Sequence, residues 1–348
     1  METEGTGRRP QGQEAEAAAT EGLAPRSGDA AGQSAEVPRE EAGVELRFTE
    51  SEVAQELEAA APPLPRRNLR RPLVLFGGFF LVVIVIWEGL KLIGGDPIRI
   101  DGQVVWDPPL TIPIANDISL PHVWTILFAF FEPVQRGSET SLLLYLVGAA
   151  LYTWTEALLG FGIGALIGVA LATLFIHSGL MERALVPYVI ASQTIPIVAL
   201  APMIVFALGP SIGSVVVIAT YLTFFPVTIA MIRGLRSPDP RALELMRSYA
   251  ASTRAIYRKV RLPTSTPYLF TALKIAATAS IVGAIIGEGP GGIPNGLGRA
   301  IINFNQYYVT APERLWASII VAGALGIAFY SLVRLAELWA LRGRPEAS

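Results

Sequence analysis

Residues 237–267 read SPDPRALELMRSYAASTRAIYRKVRLPTSTP, a basic amphipathic insert between two long apolar segments. Asp239 suits an N-cap and Pro240 the first helical position, where the missing N–H is no loss. From that start Ala242, Leu245, Met246, Tyr249 and Ala250 recur at the i, i+3, i+4, i+7, i+8 spacing of one apolar stripe, with Arg241, Glu244 and Arg247 off it. Ser252 caps a second short helix through Val260, which Pro263 and Pro267 are expected to stop before the next apolar run. The insert reads as two short helices joined by a turn. Its apolar face needs a cover.

Composition places that insert in a membrane protein. Of 348 residues, 52% are hydrophobic and 16% charged, with mean hydropathy +0.47; soluble domains carry about 25% charged residues. The net charge of −2 conceals a split: residues 1–65 hold 14 acidic and 5 basic side chains, residues 233–267 hold 2 and 8. Cysteine is absent, which excludes disulfides, thiol catalysis and Cys-based metal sites. The two histidines, His122 and His177, lie too far apart for a zinc motif, so no metal is expected. No G-x-x-x-x-G-K-[ST] run occurs, and the lysines are Lys91, Lys259 and Lys274 alone. A P-loop for ATP is therefore excluded.

Taken in order, residues 1–65 are rich in Ala, Glu, Gly, Gln and Pro and are expected to form a disordered cytoplasmic tail, with residues 49–57 as a transient helix. They lack the basic start and apolar core of a secretory signal. Residues 66–95 hold a first transmembrane helix, its apolar run at 73–93 preceded by Arg66, Arg67, Arg70 and Arg71, which belong inside. Residues 96–141 form an extracytoplasmic loop, with a hairpin at 98–104 turning at Asp101-Gly102 and an interfacial helix at 120–131.

Residues 142–340 form the core around the basic loop 233–267. The run 142–176 is too long for one perpendicular span and short for two, so parity decides. One crossing keeps the loop on the side of the early arginines, which predicts a lead-in helix and a span at 157–176. Gly160, Gly164 and Gly168 recur there at every fourth position, allowing close approach of another helix. Further spans are expected at 184–208, 212–232, 268–286 and 315–333, with a glycine-rich segment 287–295 outside and Arg334, Arg342 and Arg344 inside. The fold class is thus all-α integral membrane, a six-helix bundle with both termini cytoplasmic.

Glu244, Ala250 six residues on, and Val260-Arg261-Leu262-Pro263 together resemble the cytoplasmic EAA loop of binding-protein-dependent ABC importer permeases, in which E-A-A is followed by Gly and then Ile-x-Leu-Pro. Leu245-Met246 stand where that pattern has Ala-Ala, and Ala250 where it has Gly. The resemblance covers about residues 119–337 and is closest to the nitrate, sulfonate, taurine, thiamine-precursor and riboflavin branch, through 237–240, Glu288 and Gly296-Leu297-Gly298. It implies a MetI-like fold in a prokaryotic plasma membrane. It also implies an ABC ATPase subunit that uses ATP, an extracytoplasmic binding protein, and a second permease copy as homodimer. Leu245, Met246 and Tyr249 would be buried anchors on the ATPase, Glu244 would orient the contact, Arg247 and Arg254 would be rim charges, and Ala250, Leu262 and Pro263 would complete the docking set. The alternative is a helix lying on anionic membrane lipid.

Gln193, Thr194 and Pro196, with Thr220, Tyr221 and Thr223, are candidates for a translocation path; ordinary interhelical hydrogen bonding is the other reading. Glu156 and Glu288 join that list, against the alternative that both are solvated near the outer surface, while Lys274 is read as snorkelling. Nitrate- and sulfonate-type relatives often carry a basic residue where Glu156 falls, so an acid there points to a neutral or cationic heterocycle such as a vitamin or pyrimidine precursor. A sulfonate, nitrate or taurine permease is the alternative. An ion-coupled secondary transporter would show inverted repeats and midplane charges. An enzyme would need a catalytic constellation, and paired carboxylates are not expected. Nucleic acid is not an expected partner.

Overall fold

Helices make up most of residues 70–100, 103–135, 137–289 and 293–342, the parts of the chain that the computed structural model describes. The expected tail, the helix at 49–57, the first two arginines, the Asp101-Gly102 turn and Arg344 lie outside them. Helix α1 (Arg70–Gly94) stands apart, with 6% of its apolar window covered by the rest of the chain against 44% for α6 (Ile212–Arg236). Lipid is the natural environment for so bare an apolar rod.

After it follow a hairpin of β1 (Ile98–Ile100) and β2 (Gln103–Trp106), antiparallel as expected, and a short helix α2 (Val123–Ala129). This outer segment is fastened to the end of α1. Glu88 accepts from the Val123 amide at 2.7 Å and meets His122 Nδ1 at 2.7 Å. Buried Lys91 donates to Asp117 at 2.5 Å and to the Leu120 carbonyl at 2.7 Å, and Trp87 donates to Pro121.

The expected lead-in helix and span are one unbroken helix, α3 (Leu142–His177). No proline interrupts it, and Ser141 caps its start by accepting from the Leu144 amide. At 1.5 Å per residue it runs about 54 Å, so its ends project beyond a hydrocarbon core of about 30 Å. The glycine spacing is used as the sequence suggested, and the partner is α6. A Cβ at Gly164 would stand 2.6 Å from that of Thr223, and one at Gly168 2.8 Å from the Phe224 carbonyl oxygen. Helix α9 (Leu262–Glu288) packs on α6 as well, with Gly283 against Ala219 and Gly287 against Val215. Fully buried Ile218, Ala219, Thr223 and Val227 make α6 the central helix.

The expected span 184–208 is two helices, α4 (Gly179–Ser192) and α5 (Ile197–Leu208), bent by 99°. Pro196 caps the second and cannot continue the first, because it lacks an N–H and crowds the preceding turn. Among the described residues five helices are long and apolar enough to cross a bilayer, or six with the bent pair as one span.

The basic loop starts as expected with α7 (Pro240–Ser248), where Asp239 accepts from the Arg241 amide at 2.8 Å. Its second half corrects the expectation. Helix α8 (Thr253–Ile256) runs through a π turn, Tyr257–Arg261, straight into α9, and neither proline stops it. Pro263 has no N–H to continue the ladder, and the π turn just before it, closed by the Leu262 amide on the Tyr257 carbonyl, takes up the break. Pro267 leaves the Pro263 carbonyl without its helical donor, and the Thr266 hydroxyl supplies one at 3.0 Å. Beyond α9 comes a helix the sequence reading missed, α10 (Leu297–Gln306), and then α11 (Pro312–Ala340). Lys274 does not snorkel freely; it pairs with Glu337 of α11 at 2.7 Å.

Candidate functional site

Two places in the bundle carry the chemistry. The first is the basic loop, residues 233–267. None of α7 is buried by the rest of the described chain, and Leu245 and Tyr249 are 57% and 77% exposed. Glu244, Arg247 and Arg254 are exposed around them, and Met246 is half-buried with Ala242. The helix ends in a Schellman turn: the Ala250 amide bonds to the Arg247 carbonyl at 2.8 Å and the Ala251 amide to that of Met246 at 3.0 Å. Ala250 therefore takes φ +52°, the left-handed conformation that glycine adopts most easily. The bend survives the loss of glycine.

Behind the loop, three contacts tie it to the bundle. The Tyr257 hydroxyl shares a hydrogen bond with Thr173 of α3 at 2.8 Å, Arg261 donates to the Leu235 carbonyl of α6 at 2.7 Å, and Arg236 pairs with Glu182 of α4 at 2.5 Å. The loop is thereby bonded to α3 and α6, and the end of α6 to α4. Leu262 is exposed and Pro263 half-buried at the base of α9.

The second place is a buried acid cluster, and it overturns the solvated reading of Glu156 and Glu288: both are 0% exposed. Glu288, at the end of α9, accepts from the Thr153 hydroxyl at 2.6 Å and from the Gly298 amide at 2.6 Å. Thr153 in turn accepts from the Leu297 amide at 2.9 Å. A carboxylate and a hydroxyl thus satisfy the free amides at the start of α10, where the helix dipole also favours negative charge. Gly296, at φ +99°, and Gly298 leave the room this needs; a Cβ on either would overlap the Glu288 carboxyl or the Ile285 carbonyl. The Glu–Gly-Leu-Gly pattern is a helix-start clamp.

Glu156 faces Glu288 from α3, so the chain does pair two carboxylates, contrary to expectation. Two buried carboxyls so placed share a proton, and the Glu156 side chain hydrogen-bonds to that of Glu288. Tyr152 and Asn295 lie beside the pair.

The other path candidates separate. The Thr220 hydroxyl donates to the Gly160 carbonyl at 3.3 Å and the Thr223 hydroxyl to Ala219 at 2.9 Å, so both serve helix contacts. Tyr221 bonds to the Ser192 carbonyl, tethering α6 to the end of α4. Gln193, Thr194 and Pro196 are exposed in the bend between α4 and α5, away from the acid cluster in sequence and in bonding. Sequence reasoning missed Glu88, Lys91, Asp117 and Tyr257; the charges at the outer end of α1 were the signal for the first three.

Comparison with known proteins agrees with this geometry. Residues 164–339, just over half of the chain, match the family described as binding-protein-dependent transport system inner membrane component. A formylaminopyrimidine transport permease of Halalkalibacterium halodurans is 30% identical over 264 residues, 74% of this chain and 91% of the relative. A riboflavin transport system permease of Chloroflexus aurantiacus is 30% identical over 161 residues, 46% of this chain and 59% of the relative. A nitrate import permease of Leptolyngbya laminosa is 27% identical over 203 residues, 58% of this chain and 71% of the relative. A membrane-embedded bundle with an exposed loop helix and a match over its core leads to one assignment: the chain belongs to the binding-protein-dependent transport system inner membrane component family, as a permease subunit of an ABC importer that works with a separate ATPase subunit and a substrate-binding protein.

Proposed function

We propose that this permease imports an N–H-bearing heterocycle of the vitamin or pyrimidine-precursor kind, driven through α7 by an ATPase that uses the ATP. The observation that carries the reading is the apolar face of α7, where the described residues leave Leu245 and Tyr249 exposed and Met246 half-covered. Leu245, Met246 and Tyr249 are the anchors on the ATPase, Glu244 orients them, and Arg247 and Arg254 edge the contact. Two copies of the permease pair around one pathway, with both termini and loop 233–267 on the cytoplasmic side.

Closure of the two ATPase subunits draws the paired α7 helices together. Tyr257, Arg261 and Arg236 pass that displacement to α3, α6 and α4, and the bundle turns from inward- to outward-facing to accept cargo from the binding protein. Nucleotide shifts this equilibrium only if the loop binds differently in the two states.

The heterocycle reading is supported by the 30% identity to a formylaminopyrimidine permease over most of that relative, and by an acid at position 156. The test is ATP-dependent uptake into proteoliposomes holding the permease, its ATPase and its binding protein, with formylaminopyrimidine, riboflavin and nitrate compared. Uptake of a heterocycle supports the proposal. Uptake of nitrate alone moves the chain to the anion importers.

A further inference from the structure

We propose that the elbow between α4 and α5 is the surface on which a second copy of this chain seats, bringing the Gln193 side chains of the two copies together. The proposal rests on the reading that two permeases pair, and it adds where they do so.

Depth is the first observation. The Tyr221 hydroxyl bonds to the Ser192 carbonyl, which sets the elbow level with Tyr221 on α6. At 1.5 Å per residue Tyr221 lies about 14 Å from the start of that helix and about 22 Å from its end, inside a hydrocarbon core of about 30 Å. There the chain breaks: α4 stops at Ser192, α5 starts at Ile197, and the two are bent by 99°. No side chain caps α5, and the Ile197 and Val198 amides have no acceptor among the described residues. Gln193 is exposed, and its side-chain amide bonds to nothing among them. Irregular backbone with free polar groups does not face lipid; at this depth it is tolerated only against protein or a water-filled cavity. Helix α1 is just as bare, but it is unbroken and apolar from Leu73 to Ile86, and lipid suffices for it.

The surroundings of the elbow select protein over water. The face of α5 turned away from the bundle carries Val198, Met203 and Phe206, which are 63%, 67% and 93% exposed. Water against such a face is unfavourable, and a packed apolar contact removes it. Chemistry then selects a copy of the same chain. Beyond Arg183, neither α4, the elbow nor α5 carries an Asp, Glu, Lys or Arg, so the surface meets itself without like charges. In a two-fold pair one patch serves both sides and has to be self-complementary. A glutamine amide meets that condition, because it donates through its nitrogen and accepts through its oxygen. Gln193 of one copy can bond to its counterpart, and its oxygen can take the free amides at the start of α5.

The chain's lack of cysteine makes a direct test available. Gln193→Cys permease is assembled with its ATPase and binding protein in proteoliposomes and oxidised with copper phenanthroline, without nucleotide and after vanadate trapping. Thr194→Cys, one residue on, is run alongside, so that failure of one variant to insert leaves the other. A disulfide needs Cα atoms within about 7 Å of each other. The expected result is a permease band of doubled mass in at least one state, reversed by dithiothreitol, while Val83→Cys in the middle of α1 gives none. Absence of that band in both states overturns the proposal, and fast reaction of the same thiol with a membrane-impermeant methanethiosulfonate would then give the elbow to a water-filled path. In parallel, Gln193→Glu sets two carboxylates face to face, and differently tagged copies should co-purify at least about tenfold less than wild type, with insertion unchanged. Equal co-purification overturns the contact. The mass of the purified wild-type complex judges the pairing itself: one permease copy overturns that reading, whereas two copies without a cross-link overturn the elbow alone.

Discussion

The Glu288 carboxylate and the Gly298 amide lie 2.6 Å apart, buried, so that the last residue of α9 holds the first turn of α10. Hydrogen bonds to a charged group contribute about 1.5–3 kcal/mol each. Glu288→Ala loses two such bonds, and Gly298→Ala forces a methyl into the Ile285 carbonyl. Both variants should melt at lower temperature than the wild type in detergent, while Glu288→Gln, which keeps one acceptor oxygen for one of the two donors, should fall between them. Equal melting of Glu288→Ala and wild type would remove the clamp.

In the loop, Ala250 occupies φ +52° where the family pattern has glycine. The left-handed conformation costs a non-glycine residue about 1–2 kcal/mol. Ala250→Gly should therefore stabilise the loop in its present bend without changing what docks on it. Measured as ATPase affinity, it should bind as tightly as the wild type or more so, and Ala250→Val, β-branched, should bind more weakly.

Tyr257 links the loop to α3 through one hydroxyl contact with Thr173. Tyr257→Phe keeps the ring, which packs 5.1 Å from the His177 ring, and removes only the bond. The expected outcome is a higher ratio of ATP hydrolysed to cargo moved, with assembly unchanged. An unaltered ratio would show that force travels by Arg261 and Arg236 without it.

Lys91, 2% exposed, holds the segment after α1 to that helix, its ammonium bonded to Asp117 and the Leu120 carbonyl. Lys91→Met should loosen residues 96–131, seen as faster amide exchange there, with exchange in α6 unchanged. Protection equal to the wild type throughout would mean that Glu88 and Trp87 suffice.

Long apolar runs and the basic loop were legible in the sequence because composition and period alone specify them. The Gly160-Gly164-Gly168 face was legible too, although only packing reveals that α6 fills it. What escaped depended on contacts between distant segments. Pro263 and Pro267 read as stops, yet the π turn and the Thr266 hydroxyl accommodate them. Glu156 and Glu288, 132 positions apart by subtraction of their numbers, gave no sign of facing each other. Helix α10 was hidden because its start is capped by Glu288 and Thr153 from other helices and not by a side chain at its own N-terminus.

The account depends most on α7 being the place where an ATPase takes hold. Tyr249, 77% exposed at its end, can carry a charge without disturbing the bundle. For Tyr249→Glu, co-purification of the ATPase with the membrane-inserted permease, together with ATP-dependent uptake, is the deciding measurement. The account predicts normal insertion, loss of the ATPase and at least about a tenfold drop in uptake, equivalent to about 1.4 kcal/mol; uptake and co-purification at wild-type levels would contradict it.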